Sequence, residues 1–128
     1  MQDPVQWLRA QLGEDERVAR EAAPGPWRQD PERVDLLTSD EQGYVVDCSG
    51  AREARTNAEH IARHDPARVL REVDAKRQLL AIHRPYVAEP DQACLGCAGG
   101  IEFERCPVVR LLALPYAGRP GYREDWRP

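Results

Sequence analysis

The sequence predicts an α+β fold: a small antiparallel sheet packed with about four helices, plus a zinc-knuckle loop. Three observations predict it. Asp-Pro pairs at Asp3-Pro4 and Asp65-Pro66 each precede apolar residues at helical spacing. Short β-prone stretches separated by turn residues lie between these two segments. The run Cys94-Leu95-Gly96-Cys97-Ala98-Gly99-Gly100, followed by Cys106-Pro107, has the spacing of a metal-binding loop. One domain is expected over 1–128. Helix, sheet and helices would occupy 1–84, and the zinc loop, a short helix and a docked tail 85–128.

Each element has a local cause. Asp3 can cap a helix whose first residue, Pro4, has no N–H to lose, and Val5, Leu8, Leu12, Val18, Ala19 and Ala22 form its stripe. Pro24-Gly25-Pro26 stops that helix at Ala23. Extended stretches are expected from Trp27-Arg28, from Val34 to Thr38 and from Tyr44 to Cys48, with Ser39-Asp40-Glu41-Gln42-Gly43 turning between the last two. Thr56-Asn57-Ala58-Glu59 reads as a capping box opening a short helix. Asp65-Pro66 then opens a longer one, Ala67 to His83, with Val69, Leu70, Val73 and Leu80 on its apolar stripe and Leu79 and Ile82 on its flank. Pro107 to Leu114 predicts a short apolar helix closed by Pro115. The tail aromatics Tyr116, Tyr122 and Trp126 are costly to leave in water, so the tail should dock.

Composition narrows the classes. The 128 residues are 41% hydrophobic and 31% charged, ordinary for a globular protein. One Phe and one Met leave the core to Leu, Val, Ala, three Trp and four Tyr, a thin supply that a metal cross-link would relieve. A net charge of −4 argues against nucleic-acid binding, which needs a basic face. Lys76 is the only lysine, a bias that reads as coding preference for arginine. With no basic-then-apolar leader after Met1 and no run of membrane-spanning length, a cytoplasmic protein is expected. Four cysteines in a reducing compartment then favour a metal or free thiols over disulfides.

Cys94, Cys97 and Cys106 are three soft ligands for structural zinc, and the glycines after Cys97 allow the chain to turn back over the sulfurs. His83, at the end of the long helix, is the chosen fourth ligand. His60 and His64 compete with it and Cys48 is a distant third, otherwise a small buried side chain. A shell of three thiolates and one imidazole is closed and leaves no position for substrate. Cys94 and Cys97 alone could form a redox pair, but the third cysteine favours zinc.

No P-loop, dinucleotide fingerprint, GxSxG or HExxH occurs, and no nucleophile, base and orienting partner can be grouped, so no catalytic residue is assigned. His60 and His64, four apart, would share a helix face. Arg52, Arg55, Arg63, Arg68 and Arg71 make a locally basic interval, read as a solvated surface paired with carboxylates.

The segments VQWLRAQLGEDERVAREA (5–22), HIARHDPARVLREVDAKR (60–77) and CPVVRLLALPYAGRPGYREDWRP (106–128) resemble a family of small uncharacterised proteins of actinobacteria and their phages. Separately, Pro24-Gly25-Pro26-Trp27 followed by Asn57-Ala58-Glu59-His60-Ile61-Ala62 is similar to a PGPW/NAxFIA module of lambdoid phage early proteins, with His60 in place of the usual aromatic. The resemblance implies a shared architecture, a metal site at Cys94, Cys97 and Cys106, and a mobile-element context, and no activity.

The expected function is a non-catalytic, zinc-stabilised accessory protein that binds a protein partner or itself, with Tyr122, Trp126 and the helix Val108 to Leu114 as its face. A second expectation is a small-ligand binder that sequesters a nucleotide, with Trp27 and Tyr44 stacking the base and Arg52, Arg55, His60 and His64 holding phosphates. A nucleic-acid module is the third.

Overall fold

Local capping and the burial of small side chains set the elements of this chain. The computed structural model describes residues 3–36 and 43–128. In order they form α1 (Pro4–Glu21), β1 (Trp27–Asp30), β2 (Arg33–Leu36), β3 (Tyr44–Asp47), α2 (Ala54–Arg63), α3 (Pro66–Ile82), a 3-10 turn at Phe103–Arg105, α4 (Pro107–Ala113), and 3-10 turns at Leu114–Tyr116 and Glu124–Trp126. This is the α+β class read from the sequence, with four helices and one three-stranded antiparallel sheet among the described residues. The expected strand residues Leu37 and Thr38, and the turn residues Ser39 to Gln42, lie outside the described residues. Two compact units are formed, one by Glu14–Val73 and one by Met1–Gly13 with Asp74–Pro128, and their boundaries fall inside α1 and α3.

In the Glu14–Val73 unit the sheet order is β1-β2-β3. Trp27 pairs Leu36 and Asp30 pairs Arg33, so Pro31 and Glu32 turn the first hairpin. Val34 pairs Val46 and Asp35 pairs Tyr44, with a bulge between Val34 and Asp35. α2 packs on β1 and β2. Its buried residues are Ala54 and Ala58, one turn apart, and Val34 of β2 is fully buried.

That packing corrects one expectation. α2 opens at Ala54, with Glu53 before it making no side-chain cap, and Thr56 lies inside the helix rather than at its cap. Burial of two alanines, which let backbone approach sheet closely, outweighs a cap worth about 1 kcal/mol. The arginine interval is partly paired with carboxylates: Arg63 meets Glu59 and Arg68 meets Glu72, each one helical turn apart.

Asp65 does more than cap. Its Oδ1 accepts the Arg68 N–H at 2.9 Å at the start of α3, while Oδ2 accepts the Trp27 N–H at 3.1 Å at the start of β1. A Cβ on Gly25 would stand 2.8 Å from that same Oδ2, so glycine is needed there to admit the carboxylate. Asp65→Ala is expected to cost about 1–3 kcal/mol, since it orphans two amides around a buried site. Asp65→Asn should recover part of this, and urea denaturation of the two variants checks it.

In the other unit the core is Trp7, Leu8, Leu12, Leu80, Cys94, Cys106, Val109, Ala113, Tyr116 and Trp126. Asp3 Oδ1 caps the first turn of α1 by accepting the Val5 N–H. The stripes are narrower than expected: Val18 on α1 and Leu79 and Ile82 on α3 are exposed, while Leu8, Leu12 and Leu80 are fully buried. α1 ends at Glu21, two residues before Ala23, and α3 at Ile82, one before His83, although the His83 N–H still donates to the Leu79 carbonyl. α4 gives way at Ala113 to the 3-10 turn that contains Pro115.

The tail docks. Trp7 meets the ring of Tyr122 at 5.8 Å and that of Trp126 at 5.4 Å between centroids, and its Nε1–H donates to the Pro120 carbonyl at 3.2 Å. Gly121 has φ +91, and a Cβ there would strike Trp7 Nε1 at 2.6 Å. Tyr116 is buried, with its hydroxyl accepting from Lys76 Nζ and the Arg119 guanidinium 4.7 Å from its ring centre.

Candidate metal centre

After α3 the chain runs out through Arg84 and returns. The Leu95 N–H donates to the Arg84 carbonyl, and Pro85 bridges Cys94. On its other side Cys94 donates to Ile101, Ala93 bridges Glu102, and Phe103 donates to Gln92. Cys94 therefore sits on the middle of three short antiparallel segments. Gly99 and Gly100, at φ +83 and +71, turn the chain back between the last two, a conformation open to glycine at little cost. Cys106 follows as the residue before Pro107, and its carbonyl accepts the Arg110 N–H at the start of α4.

These elements bring four side chains to one point. His83 Nδ1 lies 3.5 Å from each of the Cys94, Cys97 and Cys106 sulfurs. Cys106 Sγ is 3.7 Å from Cys94 Sγ and 3.6 Å from Cys97 Sγ. All four donor atoms lie within 4.8 Å of one another. A disulfide would need about 2.05 Å, so the cysteines are unbonded thiols. A tetrahedral ion with bonds of about 2.3 Å to sulfur and about 2.0 Å to nitrogen has S···S edges of about 3.8 Å and S···N edges of about 3.5 Å. The observed separations are compatible with that shell.

Desolvation, followed by hydrogen bonding and charge repulsion from Cys106 and Cys94, pushes the Cys97 thiol up to about 12, so it keeps its proton unless a cation sits among the sulfurs. Three thiolates this close need a positive charge among them.

Gly96 explains the small residue inside CxxC. A Cβ there would meet His83 Nδ1 at 2.8 Å and Cγ at 2.9 Å, so the imidazole lies against bare backbone. Gly96→Ala is expected to tilt the ring off the sulfurs and weaken metal affinity about 10- to 100-fold, the range for losing an orienting contact. Competition with a chromophoric chelator measures it.

His83 thus joins the cysteines, while His60, His64 and Cys48 lie outside the cluster. Cys48 follows β3 as a half-buried free thiol. His60 and His64 are exposed, with rings 4.4 Å apart and His64 Nδ1 2.7 Å from the His60 carbonyl oxygen. Trp27 is half-buried on β1 and donates its Nε1–H to the Ala23 carbonyl. Tyr44 is exposed on β3 with the Arg33 guanidinium 5.5 Å from its ring centre, and Arg52 and Arg55 are exposed. None of Trp27, Tyr44, Arg52, Arg55, His60 and His64 lines the groove of about 690 Å³ that adjoins His83 and Cys106. Two contributions escaped sequence reasoning, the steric role of Gly96 and the bridges that return Cys94 to His83. Neither has a local signature beyond the glycine itself.

Fold and site define a small α+β protein carrying a His/Cys3 cluster of metal-binding type. The chain belongs to the family of unknown function DUF6221, whose family model matches residues 1–128. No curated protein and no solved structure matches it.

Proposed function

We propose that the chain is a non-catalytic, zinc-stabilised accessory protein that acts in the cytoplasm by binding a protein partner, in a phage or mobile-element setting. The observation that carries the zinc reading is the convergence of His83, Cys94, Cys97 and Cys106 at tetrahedral separations. Zinc suits three soft sulfurs and one imidazole, and four protein ligands close the shell, leaving no place for a reacting water. Its contribution is then structural: it ties the end of α3, the knuckle and the start of α4.

Exposed apolar side chains on and beside the knuckle support a partner. Tyr86, Leu95, Val87 and Ile101 are 75%, 50%, 40% and 37% exposed. The face expected from Tyr122 and Trp126 moves here, because Trp126 is buried and both rings pack on Trp7. Among the described residues no helix is long and apolar enough to cross a membrane. The mobile-element setting rests on the sequence resemblance alone.

Native mass spectrometry of protein purified without chelator is expected to show one zinc per chain. Tyr86→Asp with Leu95→Asp should keep that zinc and lose the partner recovered by crosslinking in the host. A strictly monomeric protein that recovers nothing above background would defeat the partner reading, and a metal-free protein the zinc reading.

A further inference from the structure

The three sulfurs of the cluster differ in access. Cys94 and Cys106 are 3% and 1% exposed, whereas Cys97, at the glycine-rich tip of the knuckle, is only half-buried and is the most accessible of the three. Cys97 Sγ also lies 3.6 Å from Cys106 Sγ, so a modified Cys97 has a second thiol beside it. We infer that Cys97 is a site of oxidation by peroxides, and that its oxidation ejects the metal by joining Cys97 to Cys106. The inference rests on the zinc reading above.

The chemistry balances in two steps. The Cys97 sulfur attacks one peroxide oxygen; the S–O bond forms, the O–O bond breaks, and the departing hydroxide takes a proton to become water. Cys97 is now a sulfenic acid and a poor ligand. The Cys106 sulfur then attacks the Cys97 sulfur; the S–S bond forms, the S–O bond breaks, and hydroxide leaves and is protonated to a second water. Two electrons pass from the two thiolates to one peroxide, and two protons come from solvent. The sulfurs must close by roughly 1.6 Å to reach bonding distance. Gly96, Gly99 and Gly100 flank Cys97 and leave the tip backbone without side chains to obstruct that movement. Cys94 and His83 alone then offer zinc two protein ligands instead of four, too few to hold it.

The test is a hydrogen peroxide titration of the zinc-loaded full chain, reading zinc release with a chromophoric indicator and disulfides by peptide mapping. The expected result is one zinc released per chain in step with a Cys97–Cys106 bond. Cys48→Ser should leave this unchanged, and thiol reductant with added zinc should reverse it. Cys97→His removes the oxidisable sulfur, so the zinc that this variant binds before peroxide, measured beforehand, should not be released by it. Zinc retained by the wild type, or a first disulfide between Cys94 and Cys97 or through Cys48, would overturn the inference. A chain with no zinc before peroxide is added removes the zinc reading itself, a distinct outcome from zinc that is present and retained.

Discussion

Stripping zinc with a strong chelator is expected to unfold the unit formed by Met1–Gly13 and Asp74–Pro128. Under the structural reading proposed above, the ion is the common attachment of three chain segments. They arrive through His83 after α3, Cys94 and Cys97 in the knuckle, and Cys106 before α4. Apart from its backbone bridges to Arg84, Pro85 and Ile101, the knuckle has little apolar packing to hold it, since Leu95, Gly96, Ala98, Gly99, Gly100 and Ile101 are all exposed. Apparent binding energies of structural zinc in small domains are about 10–16 kcal/mol, as large as the stability of a whole domain. Far-ultraviolet circular dichroism and tryptophan fluorescence should change together on chelation and recover when zinc is returned. Cys106→Ala should reproduce the effect without chelator, because it removes a ligand and leaves a void at a site 1% exposed. A melting temperature insensitive to both treatments would count against structural zinc.

Trp7→Ala is expected to be the most damaging core substitution, at about 3–5 kcal/mol. Trp7 is 3% exposed and holds the tail in three ways: it packs on the rings of Tyr122 and Trp126, donates to the Pro120 carbonyl, and fits against a glycine. Trp7→Phe keeps an aromatic ring and loses the hydrogen bond, so it should cost less, with about 1 kcal/mol from the orphaned carbonyl. Urea unfolding gives both values, and limited proteolysis should cut the tail of the alanine variant first. Equal stability of the three proteins would mean that the docking of Tyr122 and Trp126 contributes little.

The starts of α1 and α3 were legible because an aspartate before a proline acts within one turn: the cap and its amides are neighbours in the chain. The three cysteines of the cluster were legible because the pattern of a metal-binding loop restricts both residue type and spacing. The start of α2 was not. Thr56-Asn57-Ala58-Glu59 satisfies a local rule, yet Ala54 and Ala58 face the sheet and the helix begins where burial requires. The stripes misled in the same way. Val18, Leu79 and Ile82 are apolar at plausible phases and still face solvent, because periodicity does not say how wide the covered strip is.

The cysteines of the cluster, the capping aspartates and the need to cover the tail aromatics could thus be read from the chain, since each depends on chemistry within a few residues. Tertiary structure decided which histidine joins the cysteines, where the tail lands and why Gly25, Gly96 and Gly121 carry no side chain. Those outcomes depend on close approach between distant residues, 113 positions apart for Trp7 and Pro120. No local pattern encodes such a distance; it exists only once the segments between have folded.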